Sequence, residues 1–216
     1  MNRNKFAVIP EFLTEAQCDH ICDLAIELDN IEPGKMLDDA GHEHLDARKC
    51  KISWLDHTTA EKKGLAEEVE NIYNYIDVQV NSVVEGMGLS DWEITERESF
   101  QYTQYEPGDG YGWHKDVYDA PYEEGHFKGL IRKISGIVFL NDFDEWDGGD
   151  LQLENPWEWA PDQFWMRMNA FHPTINEDIK KGSAVIFQSD IWHRVTPITK
   201  GIRKSLVLWY DGPPFV

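Results

Sequence analysis

Cysteine is scarce in this chain, and basic residues are outnumbered by acids. The three cysteines, Cys18, Cys22 and Cys50, are an odd set without the paired spacing of a disulfide framework. That excludes a disulfide-stapled scaffold and makes reduced thiols in a cytoplasmic setting the simplest expectation. Cys18 and Cys22 stand four apart on a helical stretch, where a shared metal is conceivable but packing is the expected role. Long apolar runs are missing: none approaches the roughly 18 residues of a membrane span, and the mean hydropathy is −0.53. The opening MNRNKFAVIPEFL has no apolar core or small-residue cleavage site, so no secretory signal is expected. Twenty lysines and arginines against 40 aspartates and glutamates leave a net charge of −20. Such a surface repels phosphate backbones, so nucleic acid is not an expected partner. Solubility explains the acidity most simply, and attraction of basic partners is the alternative.

What is present suffices for one folded domain. Of 216 residues, 41% are hydrophobic and 12% aromatic, enough to close a core. The first 91 residues read as mostly helical. Thr14-Glu15-Ala16-Gln17 has the form of a capping box, followed at helical spacing by Ile21, Leu24, Ala25 and Leu28. A second capping box, Thr58-Thr59-Ala60-Glu61, predicts a helix running toward Val84, with Leu65, Val69, Ile72, Tyr73 and Ile76 as its apolar stripe. A short strand is expected over 51–55. From Trp92 onward the texture changes to short β-rich segments at 98–105, 134–140, 150–153, 184–188, 192–197 and 204–210, separated by Gly, Asp, Asn and Pro. Helices followed by many short strands predict a β-sandwich or barrel over 92–216 supported by the helices of 1–91, all within a single domain 1–216.

His114-Lys115-Asp116 is an H-x-D pair. On extended backbone, residues two apart project to one side, so an imidazole and a carboxylate can meet one ion. The pair alone proves little, since composition makes roughly one or two such matches expected by chance. His44-Leu45-Asp46 is a second copy in a polar stretch and reads as a solvated loop. Context favours the first copy. Tyr105-Glu106-Pro107-Gly108 ends a strand in a turn just upstream, and GSAVIFQSDIWHRVTP places His193 after a Ser189-Asp190 turn. Two histidines and one carboxylate form the facial triad of non-haem iron sites and leave positions open. Zinc more often takes four protein ligands, or three and a water. Arg203 and Ser205 follow on one strand face with Lys204 directed away, and a guanidinium fork is the side-chain match for a buried carboxylate.

Taken in order, Tyr105-x-x-Gly108, His114-x-Asp116, RKISGIVFLND, Gly148-Gly149-Asp150-Leu151, His193 and Arg203-x-Ser205 resemble the 2-oxoglutarate/Fe(II) dioxygenase superfamily, nearest its prolyl 4-hydroxylase-like branch. The resemblance covers about 100–215. It implies a mainly β fold, a double-stranded β-helix (jelly-roll) core buttressed by N-terminal α-helices. It also implies Fe(II) held by His114, Asp116 and His193, with 2-oxoglutarate and O2 as co-substrates and ascorbate as a candidate reductant. Arg203, Ser205 and Tyr105 would hold the distal carboxylate of 2-oxoglutarate. A C–H bond would be hydroxylated while 2-oxoglutarate is converted to succinate and CO2. A carboxylate at Asp116, where related halogenases carry a small residue, implies hydroxylation. The double glycine reads as a turn without chemistry.

The implied substrate is a prolyl residue in a peptide or protein, with Tyr111 and Trp209 as pocket residues. Trp157, Trp159 and Trp165 in the insertion after the double glycine, with Trp146 nearby, would either line a peptide groove or seal a loop onto the sheet. Alternatives are the same chemistry on a free amino acid, a small metabolite or a methylated nucleobase, a non-catalytic jelly-roll binding module, or a zinc hydrolase. The remaining histidines, His20, His57, His126 and His172, fall in helical, polar or loop segments and read as structural. The sequence carries no sign of an oligomeric state.

Overall fold

The computed structural model describes residues 5–34, 48–154 and 179–215. The control pair His44 and Asp46, His172, and the insertion tryptophans Trp157, Trp159 and Trp165 lie outside them. Helix α1 (Glu15–Glu27) starts at the expected box: the Thr14 side chain accepts from the Gln17 amide at 3.3 Å, and Gln17 Oε1 accepts from the Thr14 amide at 2.9 Å. Cys18, Ile21, Leu24 and Ala25 form its buried stripe.

The predicted second helix is two. Helix α2 (His57–Lys63) is capped by Asp56 rather than Thr58, the carboxylate accepting from the Thr59 amide at 2.8 Å. It stops at Gly64, whose φ of +76° is left-handed and costs glycine nothing. Helix α3 (Ala66–Gly86) then carries Val69, Tyr73, Ile76, Val80 and Val84 inward. The expected apolar stripe lies wholly after Gly64 and belongs to α3, while α2 buries only Ala60, too little to mark it in the sequence as a separate helix.

Among the described residues the strands make an eight-stranded sheet, a four-stranded sheet and a two-stranded ribbon. In the large sheet the order is β1 (Phe6–Ile9), β11 (Ala184–Gln188), β8 (Ile131–Phe139), β14 (Arg203–Gly212), β6 (Phe100–Tyr105), β4 (Lys51–Leu55) and β2 (Glu32–Pro33), with β5 (Glu96–Arg97) also paired to β14. The small sheet runs β10 (Leu151–Leu153), β12 (His193–Val195), β7 (Gly110–His114) and β3 (Arg48–Lys49); β9 (Trp146–Gly148) and β13 (Ile198–Gly201) form the ribbon. Four strands from the first 91 residues therefore enter the sheets. They are two to five residues long, too short for periodicity to reveal, except for the expected segment at 51–55.

Strand alternation divides the core in two. In β11, Ala184 and Ile186 pack on the helices, while Val185 and Phe187 face the small sheet. In β14, Leu206 and Leu208 join the helix-side cluster, leaving Arg203 and Ser205 on the opposite face. This is a double-stranded β-helix with helices covering the back of its large sheet. No helix among the described residues is long and apolar enough to cross a membrane.

Candidate active site

Register brings the three candidate metal ligands together. β12 pairs with β7 so that His193 stands opposite His114, bringing together residues far apart in the chain. Asp116 follows β7 by two residues, its amide donating to the Ser189 carbonyl at 3.1 Å. His114 Nε2 lies 3.6 Å from Asp116 Oδ1, and His193 Nε2 lies 3.6 Å from Asp116 Oδ2. All three residues are buried, and their ligand atoms fall within 4.8 Å of one another. Among the described residues this is the one such group of three.

The tautomers suit a metal. His114 Nδ1 is 2.8 Å from the Gly112 carbonyl and His193 Nδ1 is 3.0 Å from the Ile191 carbonyl. A carbonyl only accepts, so each Nδ1 carries the proton and each Nε2 presents its lone pair toward Asp116. Burial pushes the His114 imidazole down to about 3, the neighbouring His193 acting in the same direction, which keeps it an unprotonated ligand. Burial opposes ionisation of Asp116, but the protonated forms of His193 and His114, together with the Arg132 guanidinium, outweigh it and hold the carboxyl well below the usual range. Tyr111 stacks on the His114 ring with centroids 3.5 Å apart, fixing the plane of that ligand.

Behind the triad, on the facing sheet, sits Arg203. It is 1% exposed, and one nitrogen, Nη1, donates to Ser205 Oγ at 3.2 Å. Its Nε and Nη2 are buried without a hydrogen-bond partner. Tyr105 is its register partner across β6 and β14, the guanidinium carbon lying 5.4 Å from the tyrosine ring centre. Burial pushes the Tyr105 phenol up to about 12, so it stays a neutral donor. Gly149 makes room here: a Cβ on it would overlap Ile198 Cδ1 and press on Arg203 Cδ at 3.1 Å. The double glycine is the expected turn, with φ of +76° and +65°, but it also shapes the arginine's seat.

A buried cation with two unsatisfied donors calls for an anionic ligand. Together with three ligands on one side of an ion site, this matches a small dicarboxylate that chelates a metal at one end and pairs with a guanidinium at the other. The donors present therefore fit Fe(II) with 2-oxoglutarate.

Comparison with known proteins agrees. Residues 100–211, more than half of the chain, match the family model described as "2OG-Fe(II) oxygenase superfamily". The chain belongs to the 2OG-Fe(II) oxygenase superfamily. Among curated relatives, a PKHD-type hydroxylase of Xylella fastidiosa is 30% identical over 52% of this chain and 44% of its own length. One of Pseudoalteromonas atlantica is 27% identical over 52% and 42%. The matched stretch thus spans less than half the length of these relatives. Among solved structures, a Pseudomonas putida prolyl-4-hydroxylase aligns with a TM-score of 0.65 at 19% identity, covering 97% of this chain and 94% of that one. A Trichoplax adhaerens prolyl hydroxylase, solved with a hypoxia inducible factor peptide fragment, aligns at 0.63 and 22%, covering 96% and 83%. At these identities the structures establish a shared fold.

In this oxygenase the two residues expected to meet substrate, Tyr111 and Trp209, line one cavity of about 250 Å³ together with Asp116. Trp54, Arg48 and Arg132 also line it, and sequence reasoning passed over all three. Arg132 is held by Glu98 through two bonds, 2.5 and 2.8 Å, and lies 4.1 Å over the Trp209 ring. A signal existed: Arg132 and Lys133 are two consecutive cations opening an otherwise apolar strand. Trp146, by contrast, is buried beside Phe143 and Ile198 and packs the core. His20, His57 and His126 each lie beside a glutamate on the surface, away from the triad.

Proposed function

We propose that this oxygenase is an Fe(II)- and 2-oxoglutarate-dependent hydroxylase acting on a peptide or protein, with a prolyl residue as the oxidised site. His114, Asp116 and His193 would hold the iron; Arg203, Ser205 and Tyr105 would hold the distal carboxylate of 2-oxoglutarate. When bound, iron and 2-oxoglutarate supply the oxidising chemistry, inserting one oxygen atom of O2 into a C–H bond and the other into succinate as CO2 leaves. The chain's own task is orientation and dryness. Carbonyl-fixed imidazoles aim their Nε2 atoms, Asp116 contributes a carboxylate that stays ionised, and Arg203 sets the distance of the co-substrate from the metal. Tyr111 and the Trp209 indole give the adjoining cavity flat faces on which a pyrrolidine ring packs.

One observation carries the reading: a fully buried guanidinium with two unpartnered N–H groups, in the inter-sheet space that also holds a His-Asp-His face. The three cysteines are free and buried, in keeping with a reducing, cytoplasmic setting. The test is succinate release with Fe(II), 2-oxoglutarate and ascorbate, alongside mass spectrometry of proline-containing peptides. Iron-dependent succinate and peptides heavier by one oxygen are expected. Oxidation of free amino acids with no gain by any peptide would overturn the substrate, and no iron-dependent succinate would overturn the enzyme.

A further inference from the structure

A second cavity, about 610 Å³, opens beside the first. The two share Arg132, and Val117, which follows the iron-ligand position Asp116 directly, lines the larger one. A ligand long enough to leave the smaller pocket thus meets the larger one next. Its cations are Lys5, Arg132 and Lys133. Lys5 is paired with Asp190 at 3.5 Å, and Arg132 with Glu98. Lys133 differs. It is 4% exposed, its ammonium sits 4.6 Å from the centre of the Phe215 ring, and among the described residues no carboxylate lies within ion-pairing reach of it. Glu93 acts on it only through longer-range charge, and burial pushes its pKa down.

The side chain is nearly buried while its ammonium borders the cavity, and the two carboxylates that also line it, Asp91 and Asp190, lie beyond its ion-pairing reach, so the ammonium is open to an acidic ligand. We propose that the larger cavity seats an acidic side chain of the peptide substrate, its carboxylate on Lys133 Nζ and its backbone crossing Arg132 from the iron pocket. The inference rests on the reading that the substrate is a peptide. Lys133 is then a specificity-determining residue. Of the cations along this path, Arg132 is held by Glu98 and Lys5 by Asp190, which leaves Lys133 as the one that an acidic side chain in the larger cavity can pair with.

The experiment uses the full chain loaded with Fe(II) and 2-oxoglutarate. Proline peptides are compared in which a single glutamate is walked through the flanking positions, each with its glutamine counterpart. One position is expected to lower KM for hydroxylation by roughly tenfold or more relative to glutamine, the scale of one hydrogen bond to a charged group. Lys133→Gln should erase that difference, and Lys133→Glu should shift the preference to a peptide with lysine at the same position. Thermal melts of both variants report folding, and the charge swap supplies a gain that a misfolded variant cannot show. Peptides hydroxylated equally with glutamate and glutamine at every position would overturn the acidic subsite while leaving the hydroxylase reading standing. No peptide hydroxylated at all would overturn that reading instead. A glutamate preference that persists in Lys133→Gln would place the subsite elsewhere and overturn this assignment.

Discussion

Replacing Arg203 with methionine should move stability and co-substrate binding in opposite directions. The guanidinium is 1% exposed, makes one side-chain hydrogen bond, to Ser205, and leaves Nε and Nη2 unpartnered. Burial pushes its pKa below the usual value, with Tyr105 and Asp150 acting against that push. A charge held this way without its ligand is a liability to the ligand-free fold, and an apolar side chain of similar length removes it. The ligand-free variant is therefore expected to range from unchanged to about 1–4 kcal/mol more stable in chemical denaturation. Binding should suffer in the opposite sense. Losing a buried charge-assisted pair costs about 2–5 kcal/mol, which weakens the Kd for 2-oxoglutarate by roughly thirty-fold to several thousand-fold.

Anaerobic calorimetry with Fe(II) or Mn(II) present measures the second quantity directly. It also predicts the ligand's effect on melting: at 100 times Kd, 2-oxoglutarate should add about 2.7 kcal/mol to the wild type, and the variant at the same concentration should gain about 0.9 kcal/mol or less. Arg203→Lys should fall between, because it keeps the charge but loses the planar fork. An unchanged Kd in Arg203→Met would refute the assignment of Arg203 to the co-substrate. A ligand-free variant destabilised by more than about 2 kcal/mol would refute the claim that the guanidinium is unsatisfied, since that is the penalty of breaking a partnered buried group.

His193→Ala should abolish the thermal shift produced by Fe(II) or Mn(II) while the metal-free melt stays near that of the wild type, since β12 keeps its pairing with β7 and β10; retained metal-dependent stabilisation would count against the triad. Gly149→Ala should cost about 1–3 kcal/mol, because the residue has a φ of +65° and its Cβ would overlap Ile198, and it should weaken 2-oxoglutarate binding by displacing Arg203. Denaturation and calorimetry check the two halves, and normal binding in a destabilised variant would mean the glycine serves the turn alone. Asp211 gives a pH test. Burial raises its carboxyl to about 7, Glu98 and Glu96 add to the rise and Arg132 opposes it, and both its oxygens lack partners. Its unfolded value is about 3.9, so between about pH 4 and 7 the unfolded chain releases this proton first and stability falls as pH rises. Asp211→Asn should remove that slope and gain up to about 4 kcal/mol on the wild type at pH 8 relative to pH 4, the linkage of a carboxyl raised by about three pH units; parallel stability curves for the two proteins would refute it.

Much of the site was legible because its signals are local and of different kinds. His114 and Asp116 announce themselves by spacing, His193 by a strand after a turn, and Arg203 by a strand whose next residue, Lys204, belongs to the other face; the charge of Lys204 is in fact felt by Cys22 on α1. The strands at 51–55 and 184–188 appear at their expected bounds because β-branched and aromatic residues fill them between clear turn signals. What was hidden depends on tertiary pairing. Arg48, Trp54 and Arg132 line the pocket through the register of three separate strands, and apart from the consecutive cations Arg132 and Lys133 nothing near them in sequence says so. The double glycine looked like a turn and is one, yet its closeness to Arg203 follows only from the approach of β13 to β9.

Register also explains why the triad forms at all. A one-residue slip of β12 against β7 would turn every side chain to the other face and set Arg194 where His193 stands. Ser189 blocks that slip. Its carbonyl accepts from the Asp116 and Val117 amides at 3.1 and 3.2 Å, its own amide donates to the Lys133 carbonyl at 3.0 Å, and its hydroxyl meets that of Ser135 at 2.9 Å. One small residue thus ties the turn before β12, the loop after β7 and the start of β8. These are the segments that bear His193, the His114–Asp116 pair, and the Arg132–Lys133 pair dividing the two cavities. The sequence marks Ser189 only as a turn former, and its buried position among three chain segments makes it the fixed point that holds the His-Asp-His group and the Arg132–Lys133 pair relative to one another.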